Sequence, residues 1–234
     1  MGAVESRAAT DALLAGLASG GWSPRSWARF AVATAARSVD QARDHPRAVV
    51  EATALHVALG AVSERGHRRW VATSWLMTVT HLGLLGPASS LGAANAVTLV
   101  RANLPAMGIT TPWLAATAIL ADRVDGILAR RVGPTQFGHY ADSLADAAFW
   151  AWFAYRHETD RRLLATAAVA WVAPVAAVTA ISFGRGRMVD VPRPAGLRPA
   201  AAMQLVLAIR AVRGGRPPSG RTRPIRRRRP SGRH

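Results

Sequence analysis

Apolar runs at helical spacing, separated by short polar or Pro/Gly turns, divide this chain into a series of predicted helices. Residues 163–183 are the clearest: 21 residues without a charge, long enough to cross a bilayer. Residues 70–86 make a shorter span that ends at Pro87. A helix from 95 to about 108 follows, with Pro105 expected to kink it. Thr110-Thr111-Pro112 is the next turn, and Trp113 suits a membrane-interface anchor. Helices over 113–131 and 137–155 come next, joined by a Gly133-Pro134 turn signal, and a loop of both charges fills 156–162. After a basic loop at 184–198, residues 199–212 form a last apolar run. That run is marginal for a crossing, so a re-entrant or interfacial placement is expected.

The N-terminal part is patterned differently. Residues 47–64 are apolar at helical spacing but carry Glu51, His56 and Glu64, so they are expected to lie on a membrane or pack on protein rather than cross. Residues 1–46 interleave Trp22, Trp27 and Phe30 with Arg25, Arg29 and Arg37. Such a mix suits a surface segment at headgroup level, or a helical extension packed on its own domain. The predicted class is all-α: an integral membrane bundle of about five to six membrane helices with an N-terminal amphipathic region. The divisions are an extension at 1–69, a membrane domain at 70–213 and a basic disordered tail at 214–234.

Composition changes this picture in three places. Half of the residues are hydrophobic, yet the net charge is +17, because the charge is segregated from the apolar runs. All 30 basic residues are Arg, a bias that follows GC-rich coding and carries no functional reading. There is no Cys, which excludes disulfide and thiol chemistry. The first 20 residues carry Glu5 and Asp11 without a basic segment ahead of an apolar core, so no secretory signal is expected. Beside apolar spans, the basic tail reads as a cytoplasmic arm attracted to anionic lipid rather than a nucleic-acid arm.

The candidate chemistry lies in the acids. Between Arg65 and His157 the only Asp or Glu residues are Asp122, Asp125, Asp142 and Asp146. Acids in such apolar surroundings are costly and functional by default. Asp122, Asp125, Gly126 and Ala129 share one helical face, and Gly138, Asp142 and Asp146 share another. The turn between them predicts a hairpin whose carboxylates face each other. Facing carboxylates repel unless cations intervene, and all-oxygen ligands favour Mg²⁺, Mn²⁺ or Ca²⁺ over zinc. Arg130 and Arg131 beside them suggest a phosphate-bearing substrate. His139, inside the run, is read as structural, and His81 as hydrogen-bonded within the bundle.

The run D-x2-D-G-x2-A-R, a seven-residue spacer, then G-x3-D-x3-D resembles the signature of the CDP-alcohol phosphotransferase family of integral membrane enzymes. Its eight positions are Asp122, Asp125, Gly126, Ala129, Arg130, Gly138, Asp142 and Asp146. Asn95, Thr98 and Arg101 resemble the N-x2-T-x2-R run of a preceding helix in that family. The spacer is one residue shorter than is usual there, and Ala147 stands where relatives often carry Lys.

The resemblance implies transfer of a substituted phosphate group from a CDP-linked lipid donor, such as CDP-diacylglycerol, to an acceptor alcohol, with release of CMP. Asp122, Asp125 and Asp142 would hold two divalent ions, Mg²⁺ or Mn²⁺, with Asp146 either the general base or a fourth ligand. Gly126, Ala129 and Gly138 would give the nucleotide room, and Asn95, Thr98, Arg101 and Arg130 would contact nucleotide or phosphate. Arg185, Arg187 and Arg198 are candidates for gripping an acceptor's phosphate, against a reading as ordinary positive-inside charge. The implied place is a bacterial-type plasma membrane, with the site facing the cytoplasm. The acceptor stays open among small alcohols and phospho-alcohols. Many relatives form homodimers, which no residue here tests. The rival readings are a membrane prenyltransferase, whose Asp-rich motifs lie farther apart in sequence, and a non-catalytic membrane scaffold.

Overall fold

The computed structural model describes residues 3–189 and 197–214, so nearly all of the predicted basic tail and much of the basic loop before it lie outside the described residues. Among the described residues every regular element is helical. α1 (Ala3–Ser19) and α2 (Pro24–Asp44) are followed by α3 (Pro46–Val62) and α4 (Arg68–Thr80). α5 (Gly92–Asn103), α6 (Leu114–Val132), α7 (Gln136–His157), α8 (Arg161–Arg185) and α9 (Leu197–Gly214) complete the chain. Start signals act as expected. Ser23 caps α2 by accepting from the Ser26 N–H, with Pro24 in the first turn, and Asp160 caps α8 by accepting from Arg162 and Leu163.

Two predicted helices end earlier than the sequence suggests. The span at 70–86 is the 13-residue α4 followed by a 3-10 turn at Leu82–Leu85. The helix expected to reach 108 stops at Asn103 and continues as a 3-10 turn over Leu104–Met107. Pro105 has no N–H to donate back, and Gly108 at φ +68° turns the chain left-handed, so the expected kink is a helix end.

Of the five to six membrane helices expected, α8 alone is long and apolar enough to cross among the described residues. It has 25 residues, a mean hydropathy of 2.0 in its best window, and 11% of that window buried. By length and composition it is a helix that can cross a membrane. α4 and α5 are too short for a crossing, and α6 and α7 interrupt their apolar runs with Asp and Arg.

The main core joins α6, α7, α8 and α9. Phe149, Trp150 and Phe153 of α7 pack together, and Trp150 stacks on Trp171 of α8 with ring centroids 6.0 Å apart. Each such side chain contributes about 1.5–3 kcal/mol on burial. A second cluster sets Ala48 and Ala52 of α3 against Leu82, Leu85, Leu91, Leu99 and Phe137. The N-terminal helices pack on the chain's own domain. Trp22, Trp27 and Phe30 gather round Phe183 at the end of α8, with Trp27 stacked on it at 5.7 Å. Arg7 donates to the Met188 carbonyl at 3.2 Å, and Asp11 accepts from the Met188 N–H at 2.6 Å.

The hairpin is present in its turn but not in its packing. Gly133 at φ +93° ends α6, and Thr135 caps α7. The two arms keep their backbones apart, because α5 packs along both of them, and they meet through side chains of the main core. That arrangement builds the site.

Candidate active site

Arg101 sits where α5, α6 and α7 meet, with its side chain 1% exposed. Its Nη1 donates to Asp122 Oδ1 at 2.6 Å and lies 2.8 Å from Asp146 Oδ1. Its Nη2 donates to Asp142 and lies 3.7 Å from Asp125 Oδ2. Four aspartates from two helices thus surround one buried guanidinium. The two helical faces read from the sequence converge on Arg101 and bring their carboxylates close to one another.

The aspartates are not equivalent. Asp122 and Asp142 have half-exposed side chains, at 48% and 46%, and form the open rim. Asp125 is buried and accepts from Thr98 Oγ1 at 2.8 Å. Asp146 keeps Oδ1 buried and out of hydrogen-bonding alignment, although Arg101 is beside it. Oxygens of Asp122, Asp142 and Asp146 come within 4.8 Å of one another, and Asp125 stands outside that group. Three convergent carboxylates with no nitrogen or sulfur donor fit a hard divalent cation. The predicted ligand set is therefore gathered as three residues, with the fourth held by Thr98.

The remaining motif residues divide by task. Asn95 donates to the Leu91 carbonyl at 2.7 Å and to Thr135 Oγ1 at 3.4 Å. Thr135 Oγ1 also accepts from the Gly138 N–H at 3.0 Å, so one hydroxyl ties α5 to the start of α7. A Cβ on Gly138 would stand 2.7 Å from Asn95 Oδ1, closer than any packing allows. The space beside Gly138 is thus taken by Asn95, while Gly126 faces a freer one. Arg130 folds along that face, its Nη1 3.4 Å from where a Gly126 Cβ would lie. Ala129 is half-buried on the same helix. Thr135 went unremarked in the sequence, although a Thr three residues before Gly138 at a helix start was a legible cap signal.

A model of the CDP-alcohol phosphatidyltransferase family matches residues 91–214, more than half of the 234-residue chain. The chain belongs to this family. No curated protein and no solved structure gave a match. The family match spans α5 to α9 and contains the whole aspartate cluster, leaving α1 to α4 outside it. Within the matched region, Thr98 and Arg101 of α5 contact the aspartates, while Asn95 ties α5 to Thr135 at the start of α7.

Other candidates fall elsewhere. His139 is exposed beside Tyr140 and stays out of the carboxylate group. His81 is exposed and bonds the Met77 carbonyl at 2.7 Å on its own helix. Arg185 and Arg187 are exposed at the end of α8, near the aromatic cluster around Phe183. The Arg198 side chain lies outside the described residues. Beyond the site, Glu158 grips Arg210 of α9 with bonds of 2.7 and 3.0 Å. The Arg210 guanidinium holds the Glu158 carboxyl below the usual carboxylate range.

Proposed function

We propose that this protein transfers a phosphatidyl group from CDP-diacylglycerol, or a similar CDP-linked lipid, to an acceptor alcohol at a membrane, releasing CMP. The observation that carries the reading is the convergence of four aspartates from two helices on one buried cation. A lone structural ion pair would use one carboxylate. Four gathered in one place are suited to a diphosphate and its metal ions.

Asp122 and Asp142, with Asp125 behind them, would hold Mg²⁺ or Mn²⁺. When bound, such ions neutralise the diphosphate and the charge on the leaving oxygen. Asp146 takes the proton from the acceptor hydroxyl. The acceptor oxygen forms a bond to the phosphorus distal to the cytidine. The bond from that phosphorus to the bridging oxygen breaks, and the electron pair leaves with CMP. Thr98 fixes Asp125, while Arg101 and Arg130 supply guanidinium donors for phosphate oxygens. α8 anchors the site to the bilayer, where the donor's acyl chains remain. The site faces the cytoplasm.

The test is CMP release from CDP-diacylglycerol by the purified protein with Mg²⁺ and a panel of alcohols and phospho-alcohols. CMP formation that depends on one acceptor and stops with excess EDTA is expected. Release of diphosphate from a prenyl donor instead would move the chain to prenyl transfer, and no turnover with any pair would leave a scaffold.

A further inference from the structure

We infer that Arg101 is the resident counter-ion of the aspartate cluster, competing with a divalent cation for the same carboxylate oxygens and passing to the donor's diphosphate when that cation binds. The inference rests on the proposed transferase reading. Three observations carry it together. First, the Arg101 guanidinium contacts Asp122, Asp142 and Asp146, the same three residues whose oxygens are gathered within 4.8 Å of one another. Guanidinium and metal ion are therefore alternatives for the Asp122 and Asp142 oxygens.

Second, the pairing is incomplete. A guanidinium fork fits one carboxylate in a bidentate fashion, whereas here it is spread over four. Arg101 Nε is buried without a partner, and Asp146 Oδ1 is buried without an aligned donor. Buried polar atoms are normally satisfied, so each leftover marks a position awaiting a different partner. One guanidinium against four carboxyl groups also leaves the cluster short of cation.

Third, the displaced group has somewhere to go. Guanidinium is a bidentate partner for phosphate oxygens, and the proposed donor brings a diphosphate to this place. The exchange is balanced: the carboxylates trade Arg101 for metal, and Arg101 trades carboxylates for phosphate. Metal and nucleotide then bind cooperatively, partly through Arg101 itself, by ordinary linkage.

The experiment measures Mn²⁺ binding to the full chain in lipid nanodiscs, by the electron paramagnetic resonance of free Mn²⁺, with and without CDP. In the unaltered protein Mn²⁺ alone binds weakly, and CDP tightens it. In Arg101→Gln, Mn²⁺ alone binds about tenfold tighter, within the usual range of coupling between linked ligands. The factor contributed by CDP shrinks in the same variant. Arg101→Lys, which keeps a charge but not the fork, falls between the two and serves if Arg101→Gln fails to fold. Equal or weaker Mn²⁺ binding in both variants would overturn the inference and leave the transferase reading intact. Absence of Mn²⁺ binding from every protein, with CDP present, would overturn both.

Discussion

Two buried polar networks hang from the same helix, and they are built on opposite plans. On one side of α5, Asn103 donates to Ser74 Oγ at 2.9 Å. Ser74 Oγ lies 3.1 Å from His56 Nε2, and His56 Nδ1 lies 2.8 Å from the Ala52 carbonyl. Every link is neutral, and the relay runs from α5 through α4 to α3. On the other side, Arg101 carries one charge into four aspartates. The first network is nearly closed by its own members, with Asn103 Oδ1 left over. The second leaves both charge and hydrogen-bonding capacity unspent. The difference teaches where to look for function: a network that balances itself holds helices together, and one that does not is waiting for a ligand.

The largest expected effect lies in the unbalanced network. Asp146→Asn keeps the shape but removes the proton acceptor, and a general base contributes ~10²–10⁴-fold to rate. Turnover should fall by about that factor while CDP-lipid affinity changes little. If calorimetry instead finds the same affinity loss as in Asp122→Asn, Asp125→Asn and Asp142→Asn, Asp146 is a metal ligand and not the base.

Next comes the seam between α5 and α7. Gly138→Ala would drive a Cβ to within 2.7 Å of Asn95 Oδ1 and 3.2 Å of Thr135 Oγ1. Overpacking of this kind costs ~1–3 kcal/mol. The thermal midpoint should drop, and adding Asn95→Ala should recover part of the loss. No recovery in the double variant would mean that Asn95 is not what fills the space.

The balanced network predicts a stability effect without a catalytic one. His56→Ala should destabilise the protein by about 1–2 kcal/mol, by stranding partners of two hydrogen bonds, and leave turnover unchanged. Its titration adds a sign. Burial pushes the His56 imidazole below its usual value of 6.5, so the folded protein resists its protonation more than the unfolded chain does. The contribution is present above pH 6.5 and is lost as pH falls below it. A denaturant series across that range, less steep in His56→Ala than in the unaltered chain because half-buried His157 keeps its own share of the slope, checks this.

The smallest effect belongs to the Glu158–Arg210 pair. With the Glu158 carboxyl held below 4.5, its stabilising contribution is present above that pH and fades as pH falls further. Arg210→Ala should remove that acid-side slope while barely moving the midpoint near neutral pH. A large loss at neutral pH would show that the pair fastens α9 to the loop before α8 more firmly than an exposed ion pair can.

Much of this molecule was legible before any coordinates. Helical spacing set the all-α class, and the spacing of Asp122, Asp125, Asp142 and Asp146 set the site, because residues three and four apart on a helix must share a face. The uncharged run at 163–183 lies in α8, the one helix among the described residues long and apolar enough to cross a membrane, since an all-apolar sequence has no alternative face to offer. The early endings of α4 and α5 were less legible, because Pro105, Gly86 and Gly108 act through local backbone conformation rather than through apolar periodicity.

Only the tertiary structure decided what lies between the two aspartate faces. From the sequence, a turn at Gly133-Pro134 makes adjacent arms, and adjacent arms should pack on each other. The fold instead packs α5 along both of them, carrying Arg101 into the centre and Asn95 into the gap left by Gly138. No periodicity encodes that, because it depends on which helix fills the opening between two others. That choice follows from the shapes and charges of all three: small residues at the seams, and four carboxylates that no arm could bury without a cation from elsewhere in the chain.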